Sequence, residues 1–441
     1  MSWRSWNQFG CNISEGDIYA AADAIVDSSR GPSLASLGYT TVGLDDCYQA
    51  LNPTSGCAYP GDGAEALRMA LTPVADAAPP KGPPYTIHDD NGRIEVNTTR
   101  FPDLLGMTNY IHARGLFAGW YLNNCFCRDH CGSEQCFNAD ADALADYNFD
   151  SVKIDSCGAA DGNLTYWATL FNASSSRDTM ILENCNNDNT PDGTVPLTQI
   201  PYHLYRVDYD IRPTYGSVAA SAQSVLGLDK TRSGPSCWAY ADMLEVGVTT
   251  PVCTAKRHAR GYDAAAFAEA AAKPLPPVLT QTESRTHFAI WCVLSQPLTL
   301  SFNLSDATVM DAVYPIIANA EAIAVNQGWA DHPGDAIFAS TDTVVLQDCT
   351  PIWAGASNCT IPAMQIFAKP LPGGRAAVVV ANHGVVPSAA AVDLAKVPGT
   401  TCGTGPCAVR DVHAHKDLGS FTGTVPVAAL ASHDSAFLVI S

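Results

Sequence analysis

Short apolar, β-branched runs recur over residues 1–327, each followed by a stretch rich in alanine and leucine. They fall at 38–44, 115–122, 149–154, 179–182, 203–207, 242–246 and 298–302, and the segment 3–9 supplies a first strand end. Eight β-then-α units in series favour a closed (β/α)8 TIM barrel over an open sheet. The conspicuous polar residues sit at or just after the C-terminal ends of these runs, the face on which such barrels carry their sites. Beyond about residue 327 the texture changes. Runs such as Thr343-Val344-Val345-Leu346-Gln347 and Arg375-Ala376-Ala377-Val378-Val379-Val380 lie between Gly/Pro turns, and helical periodicity fades. The expectation is an α/β chain of two domains: a barrel over 1–327 and a C-terminal antiparallel β-sandwich over 328–441.

A length of 441 residues exceeds one ordinary core, in keeping with that division. The formal charge of -20 sets the surface against nucleic acid and anionic membranes, and suits a soluble enzyme acting on neutral substrates. Sixteen cysteines, with short loops bounded by Cys131/Cys136, Cys349/Cys359 and Cys402/Cys407, stand beside six Asn-x-Ser/Thr sequons at Asn12, Asn97, Asn163, Asn172, Asn303 and Asn358. Together they indicate the secretory route: secreted, or vacuolar/lysosomal. No apolar run reaches membrane-spanning length. With a motif beginning at Met1 itself, the chain reads as a mature product.

Three groups of residues carry chemistry. In Val152-Lys153-Ile154-Asp155 strand alternation sends Lys153 and Asp155 to one face. A buried carboxylate beside a fixed ammonium stays ionised, as a carboxylate nucleophile requires; the alternative is a structural ion pair. In Arg206-Val207-Asp208-Tyr209-Asp210 a second acidic cluster ends another strand. Two carboxylates converging on one barrel mouth suit glycoside hydrolysis, one as nucleophile and one as acid/base, and chemistry alone does not rank Asp208 against Asp210. Asp45-Asp46 ends a third strand and can accept bonds from sugar hydroxyls or hold a metal. Trp3, Trp6 and Tyr121 offer apolar faces for a sugar ring. Cys125, Cys127, His130, Cys131 and Cys136 resemble a zinc cluster by residue type, but the secretory context favours disulfides. Cys11/Cys47 and Cys237/Cys253 are further candidate bridges, and Cys292 reads as a free buried thiol.

In order and spacing, these motifs resemble glycoside hydrolase family 27, the α-galactosidase (melibiase) family, over almost the whole length. Met1-Ser2-Trp3-Arg4-Ser5-Trp6-Asn7 is similar to its opening Met-Gly-Trp-Asn-Ser-Trp-Asn, and Asp45-Asp46-Cys47-Tyr48 to its Asp-Asp-Cys-Trp. Gly132-Ser133, Asp140 and Lys153-Ile154-Asp155 match Gly-Ser, Asp-Ala and Lys-Tyr-Asp without a gap. Arg206 with Asp210-Ile211 matches Arg-x-x-x-Asp-Ile, and Trp238 with Asp242-Met243-Leu244 echoes Trp-Asn-Asp-Pro-Asp-Met-Leu. The resemblance implies a retaining exo-glycosidase with Asp155 as nucleophile and Asp210, rather than Asp208, as acid/base. It implies that Lys153 and Arg206 bind sugar hydroxyls, that Asp45 and Asp46 hold the 4- and 6-hydroxyls, and that Trp6 stacks on the ring. Tyr121 and Asp242 would complete the pocket, with a Cys127–Cys157 bridge beside the nucleophile. No cofactor and no metal are implied.

The chain also departs from that pattern. The family's Cys-Glu-Trp reads Cys185-Asn186-Asn187, so Asn186 stands where a glutamate usually meets the 2-hydroxyl; Glu183 is a candidate to compensate. Tyr202 stands where the partner of Cys185 is expected. Leu122-Asn123-Asn124-Cys125 is unusual, Trp238-Ala239-Tyr240-Ala241 lacks Asn-Asp-Pro, and residues 52–97 form a long Gly- and Pro-rich insertion. The expected activity is release of terminal α-D-galactosyl residues from a galactose-containing saccharide. α-N-acetylgalactosaminidase and β-L-arabinopyranosidase are the alternatives within the family, and a catalytically silent galactose-binding protein is the alternative from another class. Neither nucleic acid nor membrane is expected as a partner, and the chain is expected to be a monomer or homodimer.

Overall fold

A computed structural model describes residues 1–50, 86–123, 131–156, 162–174, 180–185, 190–249, 278–349, 358–400, 402 and 405–441. Eight parallel strands follow one another: β1 Ser2–Arg4, β2 Thr41–Gly43, β3 Phe117–Leu122, β4 Ser151–Asp155, β5 Ile181–Cys185, β6 Leu204–Arg206, β7 Trp238–Tyr240 and β8 Thr299–Leu300. The sheet order is sequential from β1 to β7, with β8 on the other side of β1. A bridge between Leu244 and Leu300, with Leu244 N donating to Thr299 O at 2.8 Å, joins the two ends and closes the barrel.

Helices α1 Trp6–Phe9, α2 Glu15–Val26, α3 Leu104–His112, α4 Glu134–Asp146, α5 Leu164–Ser174, α6 Tyr215–Val225, α7 Gln281–Val293, α8 Ala307–Ile317 and α9 Ala320–Gln327 connect or flank these strands. Their starts are written locally. Ser14 and Asp17 form a capping box on α2, and Thr280 and Glu283 form one on α7. Asp103 caps α3, Ser133 caps α4 and Thr214 caps α6. Each cap satisfies a backbone N–H that would otherwise be orphaned, and contributes about 1 kcal/mol.

Two strand expectations move. The run 242–246 is not a strand: β7 lies upstream, and Asp242 takes a φ of 105°, which breaks extended pairing. The shift places Asp242 just past a strand end instead of at a strand start. Likewise β1 stops at Arg4, and Trp6 begins a short helix.

After α9 the chain turns antiparallel. Strands β9 Asp335–Ala339, β10 Thr343–Leu346, β11 Cys359–Pro362, β12 Met364–Leu371, β13 Arg375–Asn382, β14 Ser388–Asp393, β15 Cys407–Asp411, β16 Lys416–Phe421, β17 Thr424–Leu430 and β18 Ser435–Ile440 follow. The main sheet runs β16-β15-β18-β13-β12-β9, and β14 pairs with β17 across from it. Alternation along β13 explains how this layer attaches. Ala376, Val378 and Val380 enter the sandwich core, whereas Ala377, Val379 and Ala381 join the barrel core beside α7. On the barrel-facing side, Lys369 of β12 donates to Val325 O at 2.8 Å and Asn326 O at 2.9 Å, covering the last carbonyls of α9.

Disulfides join Cys11 to Cys47, Cys131 to Cys136, Cys349 to Cys359 and Cys402 to Cys407. Cys292 is a free buried thiol, as are Cys185 and Cys237 among the described residues. Cys125, Cys127, His130, Cys157 and Cys253 lie outside the described residues, so the bridges Cys127–Cys157 and Cys237–Cys253 do too. His88, Cys131 and Cys136 bring three ligand-type atoms within 4.8 Å of one another. Both sulfurs are in a disulfide, however, and His88 Nε2 lies 2.9 Å from Asp140 Oδ1, so the group is built as a bridge and a hydrogen bond.

Candidate active site

Strands β1, β3, β4, β5 and β6 and the segments after β2, β6 and β7 bring ionisable side chains to one end of the barrel. On β4, Lys153 and Asp155 share the inner face, while Val152 and Ile154 pack into the hydrophobic core. Lys153 Nζ lies 3.2 Å from Asp45 Oδ2 and 4.0 Å from Asp155 Oδ2. It also stands 5.2 Å from the centre of the Tyr121 ring. Tyr121, on the neighbouring β3, donates its hydroxyl to Asp155 Oδ2 at 3.0 Å, and Ser156 N donates to Oδ1 at 2.9 Å. Asn123, in a left-handed conformation at φ 79°, donates to the Asp155 carbonyl. The Asp155 side chain keeps 21% of its surface exposed.

This geometry modifies the expectation that Lys153 alone keeps Asp155 ionised. Burial pushes the Asp155 carboxyl up, the Lys153 ammonium pulls it down, Asp210 and Asp45 push it up again, and the net direction is upward. Burial pulls the Lys153 ammonium down, but Asp45, Cys185, Asp155 and Glu183 together push it up, and the net direction is well above its usual range.

Across the mouth, Arg206 Nη2 lies 3.1 Å from Asp210 Oδ1 and 2.9 Å from Asp242 Oδ2. Asp208 is engaged locally: its Oδ1 accepts from Tyr209 N at 2.8 Å, and its carbonyl accepts from Arg206. Asp210 is the carboxylate of this pair that interacts electrostatically with Asp155, and its side chain is 43% exposed. Asp242 is buried, with Ile211 N and Met243 N donating to its two oxygens at 2.9 Å and 2.7 Å. Burial pushes Asp242 up, opposed by Arg206 and aided by Asp210, to about 6.

Asp45 and Asp46 are both fully enclosed. Asp45 Oδ1 accepts from Asp46 N at 2.9 Å. Asp46 Oδ1 accepts from Cys47 N at 2.7 Å, and burial pushes the Asp46 carboxyl up to about 7. Trp6 is half-buried against the Cys11–Cys47 bridge. Asn186 lies outside the described residues.

Sequence reasoning passed over two features. Arg4 on β1 is buried, with Nη2 3.2 Å from Glu183 Oε2 and Nη1 3.6 Å from Asp45 Oδ2. Glu183 is therefore tied to Arg4 beneath the mouth, not free to stand in for a glutamate facing a ligand. The signal was an arginine at an inward position of a short strand beside Gly43, its parallel partner. The second is Glu245, buried, with Asn7 Nδ2 donating to Oε1 at 2.7 Å. Burial, and then Asp242, push Glu245 well above the usual carboxylate range. It follows Asp242 in a segment that sequence pattern assigns to a strand.

A closed parallel barrel whose C-terminal mouth gathers paired carboxylates and fixed cations, with a β-sandwich behind it, belongs to the class of barrels built for carboxylate chemistry on neutral ligands. Residues 84–252 match the family model for alpha galactosidase A, and residues 362–440 match that for the alpha galactosidase C-terminal beta sandwich domain. The chain belongs to the α-galactosidase (melibiase) family, glycoside hydrolase family 27. Alpha-galactosidase 3 of Arabidopsis thaliana is 25% identical over 447 residues, covering 100% of this chain and 81% of the relative. The fold is similar to alpha-galactosidase I of Mortierella vinacea, with a TM-score of 0.70 at 21% identity, covering 100% of this chain and 96% of the other. It is also similar to the Saccharomyces cerevisiae α-galactosidase solved with raffinose, with a TM-score of 0.68 at 17% identity, covering 100% and 97%.

Proposed function

We propose that this protein is a retaining exo-glycosidase that releases terminal α-D-galactosyl residues from oligosaccharides or glycoconjugates. The observation that carries the reading is the pairing of two carboxylates in different settings. Asp155 is fixed by Tyr121 and Ser156 beside Lys153, and the more exposed Asp210 is held by Arg206. An Asp155 oxygen attacks the anomeric carbon while Asp210 gives its proton to the departing glycosidic oxygen. A glycosyl ester on Asp155 results. Asp210, now a carboxylate, takes a proton from water as that water attacks the same carbon. The ester breaks, Asp155 leaves as a carboxylate, and two inversions give retention.

Lys153 and Arg206 each carry a fixed charge at this mouth, and hydrogen bonds from such groups to hydroxyls orient a neutral ring. Trp6 supplies an apolar face for it. Tyr121, Asp242 and the Asp45-Asp46 pair complete the pocket, and the family resemblance assigns Asn186 to the position that meets carbon 2. The residue-327 boundary separates the barrel from the sandwich. Four disulfides among the described residues fit an oxidising compartment, secreted or vacuolar/lysosomal.

A panel of nitrophenyl glycosides tests the reading, with the first-formed anomer followed by NMR. The expected result is release from the α-galactoside with α-galactose appearing first. β-Galactose appearing first would end the retaining mechanism. Faster release from an α-N-acetylgalactosaminide or a β-L-arabinopyranoside would move the activity within the family. Replacing Asp155 by Asn should lower kcat by more than about 10³-fold with the melting temperature retained. Near-native turnover in that variant would remove Asp155 as nucleophile.

A further inference from the structure

Beneath the mouth a chain of buried charges, Glu183, Arg4, Asp45 and Lys153, leads to the half-buried Asp155. Glu183 Oε2 and Arg4 Nη2 are 3.2 Å apart, and Arg4 Nη1 lies 3.6 Å from Asp45 Oδ2 and donates to Trp120 O at 3.3 Å. The same Asp45 Oδ2 lies 3.2 Å from Lys153 Nζ. One carboxylate oxygen is thus shared by two cations, one of which also faces Asp155.

The arginine is accommodated by design of the neighbouring strand. Gly43 pairs with Arg4, and a Cβ at Gly43 would meet Trp3 O at 3.3 Å and Arg4 Cζ at 3.4 Å. The family's opening motif has asparagine where Arg4 stands. Being an ion pair, Arg4 with Glu183 adds no net charge to the site; its effect is directional, because the cation faces Asp45 and the anion lies behind.

We propose that Arg4 and Glu183 are positioning residues whose buried ion pair shares Asp45 with Lys153 and thereby sets how much of the Lys153 charge reaches the Asp155 carboxylate. With Arg4 in place, Asp45 is partly satisfied and Lys153 is left to serve Asp155. Without it, Asp45 draws Lys153 away. Without the Glu183 charge, more of the Arg4 charge falls on Asp45 and Lys153 is released toward Asp155. The inference rests on the reading of Asp155 as nucleophile, which the Asp155→Asn variant tests by itself.

The groups that bear on Asp155 are Lys153 on its own strand, Tyr121 on β3, Asp45 and Asp46 after β2, Cys185 on β5 and Asp210 after β6. All stay in place in the variants below. The readout is the acidic limb of kcat/KM against pH on a nitrophenyl α-galactoside, which reports ionisation in the free enzyme. Arg4→Met removes a nearby positive charge and should move the limb to higher pH by about one unit. Glu183→Gln removes a negative charge and should move it to lower pH. Arg4→Lys keeps the charge and should stay closer to native than Arg4→Met. A purely structural pair would lower melting temperature or amplitude and leave the limb fixed. Shifts of the same sign, or an unmoved limb in Glu183→Gln, overturn the proposal. Glu183→Gln is isosteric and keeps an oxygen for Arg4, so it decides the matter even where Arg4→Met fails to fold.

Discussion

Strands β4 and β13 are both buried along almost their whole length, yet they carry opposite kinds of side chain. β4 sends Lys153 and Asp155 into the barrel and keeps Val152 and Ile154 against the helices. β13 sends alanine and valine to both sides, toward the sandwich core and toward the barrel. The seam between barrel and sandwich gains stability from apolar burial, of the order of 25 cal/mol per Å². The barrel mouth surrenders some of that gain, because each enclosed charge is desolvated and only partly compensated. Burial is thus used in the seam for cohesion and at the mouth for tuning charge.

The contrast breaks most visibly with pH. Asp46 holds its proton in the folded state up to about 7, against an ordinary value of 3.8 in the unfolded chain. Between those values the folded state binds more protons, so stability falls as pH rises through the window. Relative to Asp46→Asn, the native protein should lose up to about 4 kcal/mol between pH 4 and pH 8, read by denaturant melts at both pH values. Equal losses in the two proteins would mean that Asp46 does not carry this cost.

Lys369 gives the opposite slope at the seam. Burial pushes it down to about 7 from 10.5, so the unfolded state binds more protons between those values and stability rises with pH there. Lys369→Met should remove that rise. It should also cost about 1–3 kcal/mol at neutral pH by orphaning the carbonyls of Val325 and Asn326, with kcat/KM unchanged. A loss of activity with unchanged stability would mean that the seam and the mouth are coupled. The smallest effect is expected at the rim of the seam. Arg410 forms a two-pronged pair with Glu321 at 2.6 Å and 2.7 Å, but both side chains are about one-third exposed. Arg410→Gln should cost less than about 1 kcal/mol in thermal melts, and less still in high salt.

Much of this molecule is legible in its sequence because the signals are local. Apolar runs with period two, capping residues and the change of texture after residue 327 depend on neighbours along the chain. The barrel and the sandwich follow from them. The position of β7 was not legible: Met243, Leu244 and Val246 give residues 242–246 the apolar positions of a strand, while Asp242 takes a φ of 105° with its side chain held by Arg206 and the amides of Ile211 and Met243. The pairing of Cys11 with Cys47 was anticipated because both follow adjacent strand ends.

The amino-acid sequence by itself determined which side chains alternate into the barrel and which family the chain resembles, since both are properties of order and spacing. Tertiary structure alone decided how the charges are shared. Asp45 lies between Lys153 and Arg4, and Glu183 is bound from below instead of facing the mouth, because β1, β2, β4 and β5 bring together residues up to 179 positions apart. Electrostatic coupling depends on distance in space and on enclosure from water, and neither can be read along a chain.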